Sequence, residues 1–240
     1  MRGIYRLAGL TIGIESLFPE VHAMCAPYRT ESPVDFSVAT GQSDIGFEAQ
    51  KADPGIAFTD SYLETLAAYR KIAEELPRFG AFLMHGSCIA ADGCGYIFTA
   101  KSGTGKSTHA ALWRRLLGDR AVMVNDDKPL VRCVDGCVMA YGSPWDGKHH
   151  LSSDVSVPLK AVCFLERAET NRIERLSRAE ALPLMVRHVY RPSDPEALQK
   201  TMELLGSLDI GFYHLRCNMD ISAARLSFSE MSGSEVLNEA

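Results

Sequence analysis

The sequence predicts an α/β domain built on a mixed β-sheet, and three observations carry that prediction. A glycine-rich run, Ala100 to Thr108, stands between a strand-like apolar run and a helical stripe. An Asp92-Gly93 turn sets an antiparallel neighbour beside the strand that feeds it. One short helix further on, a second buried strand ends in the acidic pair Asp126-Asp127. At 240 residues, 46% hydrophobic and 23% charged, the chain has enough apolar side chain to bury a full core. The expected organisation is a small β-rich region over residues 1–58 followed by the main domain over 59–240.

In order along the chain, residues 5–15 and 34–39 read as strands among turn residues. A helix follows, with Tyr62, Leu66, Tyr69, Ala73 and Leu76 recurring at helical spacing. Ser61 and Glu64 form its expected capping box, and Pro77 ends it. Such a stripe reads as core packing without chemistry. Residues 85–91 and 95–99 form the hairpin around Asp92-Gly93. Residues 121–124 form a buried strand, reached from the glycine-rich run through a helix over 107–117. Strands are expected over 159–165 and 171–176, then a helix opened by Ser177 and Glu180 that Pro183 interrupts. Another helix starts near Ser193, with Pro195 in its first turn. A strand over 212–216, a final helix from Asp220 and a polar, fraying tail over 231–240 complete the reading.

The glycine-rich run reads as the phosphate-binding loop (Walker A) of a nucleotide-using protein. Gly103 and Gly105 let the backbone turn so that successive N–H groups face phosphate oxygens. Ser102, Thr104 and Thr108 complete the nucleotide-binding stretch. Lys106 can reach the outer phosphates, Ser107 can place its hydroxyl on a magnesium ion, and the helix starting there adds its positive dipole end. Ala100 stands where the first glycine is usual. Asp126 and Asp127 can divide metal holding from proton acceptance; their adjacency is expected to raise the proton affinity of one member. On the turn-rich stretch from Gly142 to His150, Lys148 and His149 can clamp an anionic group, with His150 the weaker candidate. Arg187 and Arg191 could also reach a phosphate, whereas Arg172 and Arg175 are expected to pair with nearby glutamates.

From His85-Gly86 through the hairpin, Ser102 to Ser107, the helix and Asn125-Asp126-Asp127, the chain resembles the catalytic domain of HPr kinase/phosphorylase. That domain is related to ATP-dependent phosphoenolpyruvate carboxykinase. Within the group the chain is similar to HPr-kinase-related proteins of undefined substrate. Their loop runs into Ser-Thr-His, here Ser107-Thr108-His109, and they carry the stretch found here from Gly142 to His150. The resemblance spans residues 81–150 closely and the rest loosely. It implies a P-loop kinase fold with a mixed sheet, ATP and Mg2+, and transfer of the γ-phosphoryl group to a hydroxyl of a protein serine or a small molecule. Lys106 would then serve the β- and γ-phosphates and Ser107 the metal. Asp126 and Asp127 would share metal positioning and base work, and His85 would lie near the phosphates. The resemblance also suggests a homo-oligomer. HPr kinase's own signature downstream of the aspartates is missing, which weakens HPr as the acceptor. A carboxykinase-like lyase acting on oxaloacetate and a non-catalytic ATP-binding sensor are the alternative readings.

A net charge of −5 argues against nucleic acid as a partner, since a phosphate backbone calls for clustered cations. No apolar run is long enough for a membrane span, and the N-terminus, broken by Arg6 and Glu15, is no secretory signal. Seven cysteines without framework spacing point to reduced thiols and a cytoplasmic location. Cys133 and Cys137 lack the paired spacing of a zinc site but could face each other across a hairpin.

Overall fold

The computed structural model describes residues 1–52 and 55–234. The chain opens with β1 (Arg2–Leu7), β2 (Leu10–Glu15), α1 (Glu20–Met24), β3 (Phe36–Ala39) and α2 (Gln42–Lys51). Residues 5–15 are thus not one strand. Ala8 and Gly9, at φ 52° and 69°, turn the chain back so that β1 and β2 pair antiparallel, with β3 parallel to β2. The 34–39 strand is present as β3, while α1 and α2 went unpredicted. The short α1 buries only Val21 and α2 only Ile45, so neither shows a strong apolar stripe.

Next comes α3 (Asp60–Glu75). Its cap is Thr59, whose side chain accepts from Tyr62 N at 3.2 Å, rather than Ser61. Glu64 is not a cap partner. Fully buried, it accepts from Leu17 N, Phe18 N and Thr40 Oγ1 at 2.6–2.7 Å and so ties α3 to the N-terminal segment. Pro77 lies in a 3-10 turn that continues from the helix.

The main sheet follows with β4 (Ala81–Leu83), β5 (Ser87–Ala91) and β6 (Cys94–Thr99). After α4 (Lys106–Leu117) come β7 (Ala121–Asn125), β8 (Leu130–Val134) and β9 (Cys137–Tyr141). The chain finishes with β10 (Ser156–Arg167), β11 (Arg172–Leu176), α5 (Arg178–Val186), α6 (Pro195–Ser207), β12 (Gly211–Cys217) and α7 (Ile221–Ser232). The sheet has nine strands in the order β4-β8-β9-β10-β6-β5-β7, with β12 beside β10 and β11 beyond it. It is mixed as expected: β6 runs antiparallel to β5 and parallel to β10. Its path bends along β10, which pairs with β9 over Ser156 to Pro158 and with β12 from Ala161 onward, across a register shift.

Pro183 does not break α5, which runs on to Val186; Ala181 and Met185 are buried and hold it to the sheet, and one lost backbone bond is tolerated. The Ser177–Glu180 capping box is formed. Asp194, not Ser193, caps α6, and Asp220 caps α7. Of the expected tail, residues 231 and 232 belong to α7, and 235–240 lie outside the described residues.

Cys133 and Cys137 do not face one another: Cys133 opposes Val138 while Cys137 opposes Val134, which puts them on opposite faces of the hairpin. Three apolar clusters result. One joins the N-terminal sheet to α3, β4 and Trp145. The second lies under α5 and α6, and the third lies under α4 and α7, around Trp113, Phe98 and Phe228. Among the described residues no helix is long and apolar enough to cross a membrane.

Candidate active site

Strand β6 ends at Thr99, and the chain passes through Ala100 to Gly105 into the first turn of α4. Ala100 is buried in the cluster with Phe98 and Ala110, so its methyl group fits where a glycine is usual. Gly103 and Gly105 stand at φ 78° and 122°, the second open to little but glycine. The Thr104 amide bonds to Lys101 O at 3.2 Å, whereas the amides of Gly103 and Gly105 have no partner among the described residues. Arg167, the last residue of β10, donates to the carbonyl oxygens of Thr104 at 3.1 Å and of Gly103. With its carbonyls held outward, the loop can present its N–H groups to an anion.

Lys106 begins α4 and is buried, its Nζ 3.3 Å from Ala100 O. Burial pushes its ammonium below the ordinary lysine value, and the charges of Asp127 and Asp126 pull the other way. All three groups therefore share one electrostatic neighbourhood.

Strand β7 delivers the aspartates through Asn125, which is fully buried. The Asn125 side chain donates to Ser143 O and Oγ at 3.0 and 3.1 Å, and its oxygen accepts from Asp127 N at 2.9 Å and Lys128 N at 2.5 Å. The acidic turn and the 142–150 stretch are thereby built around one amide. Asp126 is buried and accepts from Ser87 Oγ at 2.7 Å on Oδ1; Oδ2 has no hydrogen-bond partner among the described residues. Asp127 Oδ1 lies 3.3 Å from His85 Nε2 and 3.4 Å from Lys128 Nζ. Burial would raise its carboxyl, but His85 and Lys128 outweigh that and hold it below the usual range. The upward shift expected for one member of the pair is thus not found at Asp127, because the His85 hydrogen bond and the Lys128 ammonium act against it.

His85 sits between β4 and β5, its amide donating to His188 O at 2.7 Å and its carbonyl accepting from Thr99 Oγ1 at 2.8 Å. Next to it, Gly86 N donates to Asp127 O at 3.0 Å. His188 is a neighbour of the candidate site that the sequence reading missed. It is held below the ordinary imidazole value by burial and then by His85 and Lys106. Its neighbours Arg187 and Arg191 are exposed. Arg172 pairs with Glu174 at 3.7 Å.

The 142–150 stretch divides in two. Its first half is buried: Trp145 donates from Nε1 to Thr65 O at 3.1 Å and tilts against Tyr69 at 5.5 Å. Gly147, at φ 74°, comes so close to Asp127 that a Cβ on it would lie 3.0 Å from the Asp127 Cβ. Its second half, Lys148, His149 and His150, is exposed. Lys148 and His150 line a cavity of about 800 Å³ that also touches Asp127, whereas His149 does not. His150 pairs with Asp146 at 3.2 Å. On the far side of the loop a smaller cavity of about 320 Å³ lies among Thr104, Thr108, Arg167 and Met219.

Residues 59–191, more than half of the chain, match the family model described as SynChlorMet cassette protein ScmC. The chain belongs to the ScmC family. The matched span starts at the Thr59 cap of α3 and takes in His85, the glycine-rich loop, both aspartates, the 142–150 stretch and His188. The ScmC family, rather than the HPr kinase/phosphorylase group that the motifs resemble, is therefore the family shown. No curated protein matches the chain. Among solved structures it is similar to one described as the Hpr(Ser) kinase/phosphatase from Coxiella burnetii, with 13% identity. That match covers 63% of this chain and 93% of the other at a TM-score of 0.36, a likeness too slight to bear on function.

Proposed function

We propose that the chain is an ATP- and magnesium-dependent phosphotransferase that moves the γ-phosphoryl group to a hydroxyl. The observation that carries this reading is a loop whose Gly103 and Gly105 amides have no partner among the described residues, with Lys106 buried at its end and Asp127 joined through His85 to Thr99, the last residue of the strand that feeds it. In this reading Ser102 to Thr108 cradle the phosphates, and Lys106 meets the β- and γ-phosphate oxygens. The nucleoside extends over the smaller cavity beside Arg167 and Met219.

The donor set suits magnesium, which needs only one or two carboxylates and completes its octahedron with water and phosphate oxygens. Asp126, with one oxygen unpartnered, and the Ser107 hydroxyl would hold it, with Asp127 near. No group of three or more His, Cys, Asp and Glu is placed to hold a metal among the described residues, and this role does not call for one. When bound, magnesium neutralises charge on the bridging and γ-phosphate oxygens.

Asp127, bordering the large cavity and touching His85, is the base. The acceptor oxygen forms a bond to the γ-phosphorus as the bond from that phosphorus to the bridging oxygen breaks. ADP leaves with the electron pair, and the acceptor proton passes to Asp127. A carboxylate of low proton affinity suffices, because a loose transition state gives up that proton late.

Thermal unfolding with ATP and Mg2+ tests the binding half: saturating nucleotide at 100 times Kd stabilises the wild type by about 2.7 kcal/mol. Lys106→Ala abolishes that shift. Labelled ATP incubated with a panel of hydroxyl compounds tests the chemistry, and Asp127→Asn keeps the thermal shift while slowing label transfer by about 10²-fold or more. Equal nucleotide stabilisation of the wild type and Lys106→Ala would refute the assignment.

A further inference from the structure

Neither His85 nor any residue of the glycine-rich loop lines the large cavity beside Asp127. The cavity touches the candidate site through Asp127, its neighbour Lys128 and the 142–150 stretch. Its walls are aromatic and apolar: Tyr62, Leu66 and Tyr69 come from α3, Tyr28 from the N-terminal segment, and Pro144 and Trp145 from the 142–150 stretch. The helical stripe read from sequence as core packing thus faces this space at three of its five positions, while the buried side of α3 is formed by Leu63, Ala67, Ala68 and Ile72.

Two lysines, Lys128 and Lys148, line the cavity beside three carboxylates, Asp127, Asp146 and Asp154, and Lys128 already lies against Asp127 at 3.4 Å. No surplus of cations remains for a phosphorylated or polycarboxylate guest, whose burial requires paired charge. Oxaloacetate, the substrate of the lyase alternative, is such a guest. Tyr69, tilted against Trp145, has a hydroxyl without a hydrogen-bond partner among the described residues. Burial and then Asp127 push that hydroxyl well above the ordinary tyrosine value, so it stays protonated and can donate. A space of this size, mostly apolar with a few polar groups, is that of a small-molecule site.

We infer that this cavity takes the acceptor, and that the acceptor is a small uncharged hydroxyl compound with an aromatic or branched apolar body, seated so that its hydroxyl meets Asp127. The acceptor role rests on the phosphotransferase reading; the preference for an uncharged apolar body does not. In the transfer the acceptor oxygen gains the γ-phosphorus, that phosphorus loses its bond to the bridging oxygen, ADP carries off the electron pair and Asp127 takes the proton.

The test is nucleotide-free ligand-observed saturation-transfer NMR on the full chain, with 2-(2-naphthyl)ethanol and 3-phosphoglycerate as probes. The wild type gives a signal with the naphthyl alcohol and none with 3-phosphoglycerate. Leu66→Asp and Tyr62→Glu, the latter at an exposed position and so safe for folding, each weaken alcohol binding by about tenfold or more, because a charge is set into the apolar wall. An alcohol signal that is absent, or unchanged in both variants, or a phosphoglycerate signal of equal strength overturns the inference. Loss of nucleotide stabilisation would instead sink the phosphotransferase reading and leave the NMR result standing, so the two failures are distinguishable.

Discussion

Asn125 shows how much one side chain can organise. Its amide accepts from two consecutive backbone N–H groups in the acidic turn and donates into the 142–150 stretch. Asn125→Ala leaves those buried donors without partners, at a cost of about 3 kcal/mol, and loosens Asp126 and Asp127 together. Chemical denaturation should show the stability loss, and labelled-ATP assays a larger loss of transfer than of nucleotide binding. Residues of this kind were only half legible. The glycines, Lys106 and the aspartates announce themselves because their partners lie close in sequence and the loop chemistry fixes their order. His188, Arg167 and Glu64 do not, since each works on segments at least 24 positions away, and no local pattern records such a pairing. His109 was quoted only as part of a motif. It proves to be a core residue bonded to Ser227 Oγ at 2.9 Å, held by burial to a pKa of about 4.

At the level of elements, the hairpin of β5 and β6 was legible because Asp92 and Gly93, at φ 50° and 78°, match the preferences of a tight two-residue turn. Helix α3 was legible in its extent, and its stripe is core at Ala73 and Leu76 as read; at Tyr62 and Leu66 it borders a cavity, since periodicity marks an apolar face without telling whether protein or a cavity meets it. The 142–150 stretch was read as one turn-rich loop, yet its aromatic half is anchored to α3 and only its basic half reaches solvent. Gly147 joins that stretch to Asp127. Gly147→Val adds backbone strain of about 1–3 kcal/mol and drives a side chain against the Asp127 Cβ. Steady-state kinetics should show transfer falling on the order of 10²-fold through misplacement of the base, with the ATP-dependent thermal shift preserved.

Across the whole molecule, neighbouring residues of single strands serve different apolar clusters. Ala81 and Leu83 pack into the first and Phe82 into the second; Ile97 packs into the second and Phe98 into the third. Such interleaving couples the N-terminal sheet to both faces of the main sheet. Denaturant unfolding should therefore be a single transition: fluorescence from Trp145 in Trp113→Phe and far-ultraviolet circular dichroism of the same variant should share one midpoint. Separate midpoints would mean that the first cluster melts by itself. Strand β10 runs through this arrangement, bonded in turn to β9, β6 and β12 before Arg167 takes hold of the Gly103 and Thr104 carbonyls. Its consequence is mechanical. The Gly103–Thr104 turn is tied to a strand that three neighbours hold, so the entropy of shaping it is lost once, when the chain folds, and under the proposed function a phosphate would meet a seat already formed.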